Sequence, residues 1–206
     1  MNNKDLVLSG FTAIASLIGF IFIYMLLEGN VLEKIDQSVY IYFQNFKDTG
    51  LYVFFKYFTN LSGETISVGV FSVVIYILYK KHNLQEIVFL ILFVAFSISL
   101  TMILKYTLMI ERPDNHISGL SGYSFPSGHT VLSIVLAFLV YRLVKNFKLS
   151  FGNEKLFILC LMLYVFVSLI ARIFISAHWF SDILGGLFLG LYCLSFSYFI
   201  FIKKRT

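Results

Sequence analysis

The sequence is poor in charged residues, cysteine and proline, and each shortage excludes a class of protein. Charged residues make up 13% of the 206-residue chain, about half the share that is usual in a soluble domain. The two cysteines, Cys160 and Cys193, fall inside long apolar runs, so we predict packing roles for them and no disulfide framework. With two prolines, no internal repeat and no low-complexity tail, the chain offers no Pro-rich linker between separate units.

Long apolar runs dominate the chain instead. Hydrophobic residues account for 59% of it, and the mean hydropathy is +0.85. A membrane-spanning helix needs about 20 apolar residues, and the sequence contains six candidates, the second of them short: about 6–27, 65–80, 85–108, 128–145, 156–175 and 180–202. Because a transmembrane β-barrel would show short alternating segments, the sequence predicts an all-α polytopic membrane protein. Its length leaves no room for a second domain, so we expect residues 1–206 to form a single domain.

The connection between the first two spans, from Glu28 to about Gly63, carries a helical pattern of its own. Apolar residues recur there at spacings of three and four: Ile35, Val39, Tyr42, Phe43 and Phe46. This spacing predicts an amphipathic helix outside the membrane, ended by Asp48-Thr49-Gly50. Such a helix either anchors the surface at the interface or forms a lip that guides an amphiphile into a site. The pattern by itself favours the anchor.

Lysine and arginine are divided unevenly between the two ends of the spans. Ten of the sixteen belong to one side: Lys4, Lys80, Lys81, Arg142, Lys145, Lys148, Lys155, Lys203, Lys204 and Arg205. Because cytoplasmic loops carry the excess of Lys and Arg, both termini are predicted to be cytoplasmic. These loops also account for the net charge of +5, so no nucleic-acid partner is implied.

Three short segments gather polar chemistry at the opposite, outer side. They are Lys105 to Pro113 (K-x6-R-P), Pro126 to His129 (P-S-G-H) and Arg172 to Asp182 (R-x5-H-x3-D). An ionisable group at membrane depth is costly and marks a functional site by default. Arginine and lysine match a cluster of anionic oxygens. Three cations with two histidines therefore indicate a phosphate-handling site that opens to the outside.

Each segment also has a purely structural interpretation. His178 and Asp182 are four residues apart at the start of a span, which places them on one helix face. There the carboxylate either orients the imidazole for attack or only satisfies a buried pair. Ser127 suits a helix N-cap, and Gly128 and His129 would follow at an anion-binding helix end or belong to an ordinary cap.

Snorkelling to the surface would explain Lys105 on its own. Separate structural causes do not explain why three segments deliver such groups to one membrane face.

A further pattern, Gly186 and Gly190 in a GxxxG preceded by Gly185, allows close helix contact. We expect it to serve packing inside the bundle rather than dimerisation.

The ordered set of three motifs resembles the type 2 phosphatidic acid phosphatase superfamily, which includes bacterial membrane lipid phosphatases and vanadium haloperoxidases. The resemblance implies that His178 attacks phosphorus to form a phosphohistidine, that Asp182 orients it, and that His129 protonates the leaving oxygen. It also implies a set of phosphate-binding residues: Lys105, Arg112, Ser127, Gly128 and Arg172. The family usually has Ser before the arginine of the third motif, where this chain has Ala171, and we expect this difference to tune activity rather than abolish it.

No metal ion or other cofactor is expected, because the three cations supply the charge and the carboxylates Glu111 and Asp114 have no clear partners. The expected partner is a phosphorylated lipid in the bilayer, such as undecaprenyl diphosphate, phosphatidylglycerophosphate or phosphatidic acid. Transfer to an acceptor lipid instead of water stays open, as do the physiological substrate and the oligomeric state. Six spans argue against a soluble haloperoxidase, and the absence of inverted repeats argues against a transporter. A non-catalytic membrane protein that only binds an anion is a further alternative, but binding alone would not need the intact set of His129, His178 and Asp182.

Overall fold

The computed structural model describes residues 3–113, 122–147 and 153–203. Lys148, Lys204 and Arg205, three of the cations counted above, lie outside these ranges, as does Asp114. The helices are α1 (Asn3–Glu28), α2 (Glu33–Gln44), α3 (Gly50–Phe58), α4 (Glu64–Lys80), α5 (Leu84–Leu108), α6 (Gly128–Phe147), α7 (Glu154–Phe174) and α8 (Phe180–Lys203).

Five of the six predicted spans are confirmed as α1, α5, α6, α7 and α8, with ends within about three residues of those predicted, and each is long and apolar enough to cross a membrane. The second predicted span, 65–80, corresponds to α4, which has 17 residues and reaches a spanning length only together with α3. The second span looked short because its apolar segment begins earlier, in α3. A 3-10 turn, Thr59–Ser62, joins α3 to α4, so that Gly50–Lys80 forms one apolar segment of 31 residues.

The predicted external amphipathic helix is α2, but it ends at Gln44, earlier than Asp48. The backbone N–H groups of Phe46 and Lys47 bond to carbonyls three residues back, which tightens the chain into turns. Thr49 begins the next helix instead of ending this one. Its hydroxyl accepts a hydrogen bond from the Tyr52 N–H at 3.3 Å, as an N-cap does.

Glycines let α8 pack closely against its neighbours, as predicted for the GxxxG. A Cβ on Gly186 would lie 2.7 Å from the Ser127 carbonyl oxygen and 2.9 Å from Thr130 Cβ. A Cβ on Gly190 would lie 2.6 Å from Ile134 Cδ1. The glycine face of α8 therefore meets the start of α6, and its fit sets where the second and third motifs stand relative to each other.

Replacing Gly186 with Ala should lower the stability of the protein, because its Cβ requires α6 and α8 to separate. Overpacking of this kind costs roughly 1–3 kcal/mol. Thermal unfolding in detergent measures the effect. Gly69→Ala in α4 is the matched control, since a Cβ there would meet no atom within 4 Å. Equal unfolding temperatures for the two variants would show that the contact at Gly186 is not tight.

The end of the bundle away from the three motifs is held by a buried ion pair. Glu86 lies at the start of α5 and is 1% exposed, and the Arg142 guanidinium of α6 donates two hydrogen bonds to its carboxylate. The Arg142 guanidinium also lies over the Phe89 and Phe138 rings. This pair fixes α5 against α6 at one end, while the candidate site occupies the other.

Candidate active site

All eight residues predicted for the site lie at one end of the bundle. Lys105 is in the last turn of α5 and Arg172 in the last turn of α7. Gly128 and His129 open α6, with Ser127 just before it, and Asp182 lies in the first turn of α8. Arg112 and His178 lie in the segments that connect these helices. The C-terminal ends of α5 and α7 and the N-terminal ends of α6 and α8 therefore meet at this end of the bundle.

His178 and Asp182 form a buried pair, with His178 Nδ1 at 3.2 Å from Asp182 Oδ2. Their exposed fractions are 3% and 0%. The expectation that both stand on one helix face was wrong, because α8 begins at Phe180 and His178 precedes it. The contact forms nonetheless, since the carboxylate turns back and also accepts the Trp179 N–H at 2.8 Å.

Ser124 is a further partner of the Asp182 carboxylate. Its Oγ lies 3.1 Å from Asp182 Oδ1 and 2.8 Å from the Glu111 carbonyl oxygen. The Trp179 Nε1–H donates to that same carbonyl at 3.0 Å. The aspartate is therefore oriented from both of its oxygens, which fixes the direction in which it meets the imidazole.

The imidazole of His178 is held in its neutral form. Burial lowers the pKa of His178 well below its usual value, and the nearby charges of Arg172, Arg112 and Lys105 lower it further. With Nδ1–H donating to Asp182, the lone pair is on Nε2. Arg112 Nη1 lies 3.4 Å from this Nε2 and donates to the Ala177 carbonyl at 2.7 Å. A neutral ring with a defined tautomer is what a nitrogen nucleophile requires.

Two of the cations also hold the chain segment that leads into the second motif. Lys105 Nζ donates to the carbonyls of Tyr123 at 2.6 Å and Ser124 at 2.9 Å. Arg112 Nε donates to the Gly122 carbonyl at 3.0 Å. Lys105 and Arg112 therefore fix the backbone of residues 122–124, in addition to supplying positive charge to the site.

Arg172 is buried with two of its donor nitrogens unpaired. Arg172 is 3% exposed. Its Nη1 donates a hydrogen bond to Thr59 Oγ1 at 3.0 Å. Neither Nε nor Nη2 has a hydrogen-bond partner among the described residues. Because leaving buried donors unpaired costs roughly 1–3 kcal/mol each, and more for a charged group, this guanidinium is arranged to receive an anion.

Ser127 acts as the N-cap predicted for it. Its Oγ accepts the Thr130 N–H at 3.4 Å, and its own N–H donates to the Asp182 carbonyl at 3.1 Å. The second bond joins the second motif directly to the third. His129 follows in the first turn, within electrostatic reach of Arg172, Arg112 and Lys105. The first N–H groups of α6 thus lie at the site, where a helix favours an anion.

Three neighbours of the site were missed from the sequence: Thr59, Ser124 and Trp179. Thr59 belongs to the 3-10 turn before α4, far from every motif in the chain. It supplies a hydroxyl to Arg172 beside Ala171, the position where the resembling family usually has Ser. A single hydroxyl in this short turn belongs to no motif spacing that could have predicted its contact with Arg172. Among the described residues, no group of three or more His, Cys, Asp or Glu side chains is placed to hold a metal ion.

The part of the chain that carries the candidate site also matches a known protein family. The sequence profile of the PAP2 superfamily matches residues 86–206, more than half of the chain. The chain belongs to the PAP2 superfamily. The match includes every motif residue, from Lys105 to Asp182. It leaves out α1 to α4, and so it does not include Thr59.

One relative within the superfamily is phosphatidylglycerophosphatase B of Bacillus subtilis (strain 168). It is 35% identical over 95 residues, which cover 45% of this chain and 46% of the relative. The alignment thus spans about half the length of that protein. It establishes kinship of the matched part, while the activity of the whole protein is a separate question.

Two solved structures share the fold, the first of them described as a PAP2-type phosphatase. The transmembrane phosphatidylglycerolphosphate phosphatase of B. subtilis has a TM-score of 0.86 at 19% identity, covering 95% of this chain and 98% of that one. Aquifex aeolicus LpxE has a TM-score of 0.60 at 24% identity, covering 79% and 93%. The match over nearly the whole of the first structure shows that this PAP2 protein shares its transmembrane fold, and the six apolar helices of this chain agree with a multi-pass membrane protein.

Proposed function

We propose that this protein hydrolyses phosphate esters or anhydrides of membrane lipids without a metal ion, through a phosphohistidine at His178. The observation that carries the proposal is the pairing of a neutral, oriented imidazole with a buried guanidinium that has unpaired donors. Arg172 is built to receive an anion, and its charge acts on the ring of His178. A phosphate held by Arg172 would therefore face a nucleophile.

In the first step, His178 Nε2 attacks phosphorus, the new P–N bond forms and the bond from phosphorus to the leaving oxygen breaks. His129 donates a proton to that oxygen, because the bound phosphate favours the protonated form of a neighbouring imidazole. Asp182 keeps the Nδ1 proton in place and stabilises the positive ring. This division of roles needs the Nδ1–Oδ2 contact of 3.2 Å.

In the second step, water attacks phosphorus and the P–N bond breaks, which releases inorganic phosphate. His129 accepts the proton that the water loses, so that both histidines return to their starting states. Arg172, Arg112, Lys105 and the first N–H groups of α6 stabilise the phosphoryl oxygens in both steps. Positioning and charge stabilisation of this kind provide most of the catalysis in phosphoryl transfer.

The membrane setting indicates the class of substrate and the side of the reaction. The candidate site lies at the ends of helices that are long and apolar enough to span a membrane, and a lipid headgroup would lie at such an end. The excess of Lys and Arg at the other ends of the spans supports a plasma-membrane orientation with cytoplasmic termini and an outward-facing site. Candidate substrates are undecaprenyl diphosphate, phosphatidylglycerophosphate and phosphatidic acid.

Phosphate release from a panel of lipid mono- and diphosphates in detergent, with excess EDTA, tests this function. We expect the purified protein to release phosphate from at least one lipid, at a rate that added Mg²⁺ does not raise. Activity that EDTA removes and Mg²⁺ restores would contradict a metal-independent reaction. Release that requires an added acceptor lipid, with the phosphoryl group found on that lipid, would identify a transferase instead of a hydrolase.

A further inference from the structure

The external helix α2 lies along the segment that carries His178. Asp36, Tyr40 and Gln44 follow one another at four-residue spacing, so they form one stripe on the helix. Their contacts run in the reverse order along the other segment: Asp36 meets Ser181, Tyr40 meets Trp179 and Gln44 meets Ser176. The stripe therefore brackets His178 on both sides.

Asp36 fixes the start of α8. Its Oδ1 accepts the Ser181 N–H at 2.8 Å, and its Oδ2 accepts the Ser181 hydroxyl at 2.7 Å. The Phe180 N–H also bonds to this carboxylate. A carboxylate that accepts the first N–H groups of a helix caps it and complements its dipole. The capped residue immediately precedes Asp182, so the cap acts on the turn that presents the orienting carboxylate.

Gln44 and Tyr40 fix the turn before α8. Gln44 Nε2 donates to Ser176 Oγ at 2.8 Å, and Ser176 has a positive φ of 55°, a conformation that needs support in a residue other than glycine. The Tyr40 ring lies 5.7 Å from the Trp179 ring between their centroids. Gln44 and Tyr40 thus hold the chain two residues before and one residue after His178.

These contacts are not what a simple interfacial anchor would make. An anchor directs its polar groups to water and its apolar groups into lipid. Asp36 is instead 8% exposed, while Ile41 and Tyr42 on the same helix are 61% and 59% exposed. The buried carboxylate faces the protein and has one set of partners, which all belong to the start of α8.

We propose that Asp36 is a positioning residue for the reaction, and that α2 is a brace which sets the distance between His178 and Asp182 from outside the membrane. The inference rests on the proposed function for its kinetic consequences. Its structural consequence, the placement of residues 176–181, is independent of any activity. The brace comes from outside the matched region of the superfamily, which begins at residue 86.

The kinetic test compares Asp36→Ala with Asp36→Asn and Glu33→Ala. Loss of the cap loosens the turn that presents Asp182, and a displacement of this kind lowers kcat by about 10- to 100-fold. KM should change by less than about twofold, since substrate contacts are untouched. Asp36→Asn keeps an acceptor for the Ser181 N–H and should recover part of kcat. Glu33→Ala removes the same charge from an exposed position on the same helix and should behave as wild type.

The structural test uses Trp179, the one tryptophan of the chain. Its emission reports the bracketed segment alone. We expect Asp36→Ala to shift the emission to longer wavelength and to raise the acrylamide quenching constant, with Asp36→Asn between it and wild type. Glu33→Ala should leave both values unchanged. If Asp36→Ala does not fold, Ser181→Ala and Gln44→Ala replace it under the same criteria, each removing one contact of the brace.

Folded Asp36→Ala protein with wild-type kcat would overturn the inference, and so would a lower kcat with unchanged Trp179 emission. A higher KM at constant kcat would also overturn it, because it would assign Asp36 to substrate binding. If wild type released no phosphate from any lipid, the proposed function would fail. The fluorescence comparison would then still decide whether α2 holds the segment.

Discussion

Replacing His178 with Ala is expected to abolish phosphate release, with a loss of at least about 10,000-fold in kcat, the scale observed when a nucleophile is removed. The alanine leaves no nitrogen to attack phosphorus, while Arg172 and Lys105 can still bind the phosphate. Substrate binding should therefore survive. Parallel measurements of turnover and of lipid phosphate binding in detergent would separate the two effects.

His82→Asn is the matched control for this loss. His82 is exposed and has a positive φ of 55°, which asparagine tolerates better than alanine does. The control removes one histidine at the opposite end of the bundle and should keep wild-type turnover. Comparable activity of His178→Ala and wild type would remove His178 from the mechanism and with it the assigned nucleophile.

Replacing Arg172 with Lys is expected to lower kcat by about 100- to 1000-fold, the cost of losing one preorganised donor to a developing charge. Lysine keeps the positive charge but cannot bond Thr59 and also present two further donors in the plane of a guanidinium. The loss should appear in kcat more than in KM, because charge on the phosphoryl oxygens is distributed differently in the transition state. Steady-state kinetics on the preferred lipid measures it.

Two companion variants make the Arg172 result specific. Lys155→Arg exchanges the same two residue types at the exposed start of α7 and should leave turnover unchanged. Thr59→Val removes the hydroxyl that accepts from Arg172 Nη1 at 3.0 Å and should lower kcat by a smaller factor. If Arg172→Lys had wild-type kinetics, a simple positive charge would suffice, and the unpaired donors would have no role in the reaction.

The sequence was sufficient to predict the features that rest on long apolar runs or on several motifs taken together. Apolar runs of helical length predicted five of the spans to within about three residues of their ends, because the bilayer sets their length. The second span was predicted without α3, which the candidate span includes. The three motifs predicted a set of candidate site residues, since charged and imidazole groups are costly in an apolar chain, and the structure brings that set together at one end of the bundle. The spacing between His178 and Asp182 indicated their contact, although the helix start at Phe180 differs from the expected one.

The parts that could not be predicted depend on tertiary contacts between distant segments. Thr59 reaches Arg172 across 113 positions of sequence, and Asp36 reaches Ser181 across 145. A single hydroxyl or carboxylate belongs to no sequence pattern that would identify so distant a partner. The amphipathic pattern of α2 correctly predicted a helix, but its period describes which face is apolar, not what the polar stripe contacts.

The stereochemical course at phosphorus tests the central claim, that the phosphoryl group passes through a covalent enzyme intermediate. The substrate would be a lipid phosphate made chiral at phosphorus with sulfur and oxygen isotopes, hydrolysed in isotopically labelled water. Two successive in-line displacements, one by His178 and one by water, predict retention of configuration in the released thiophosphate. Inversion would show a single direct attack by water and would contradict the phosphohistidine mechanism.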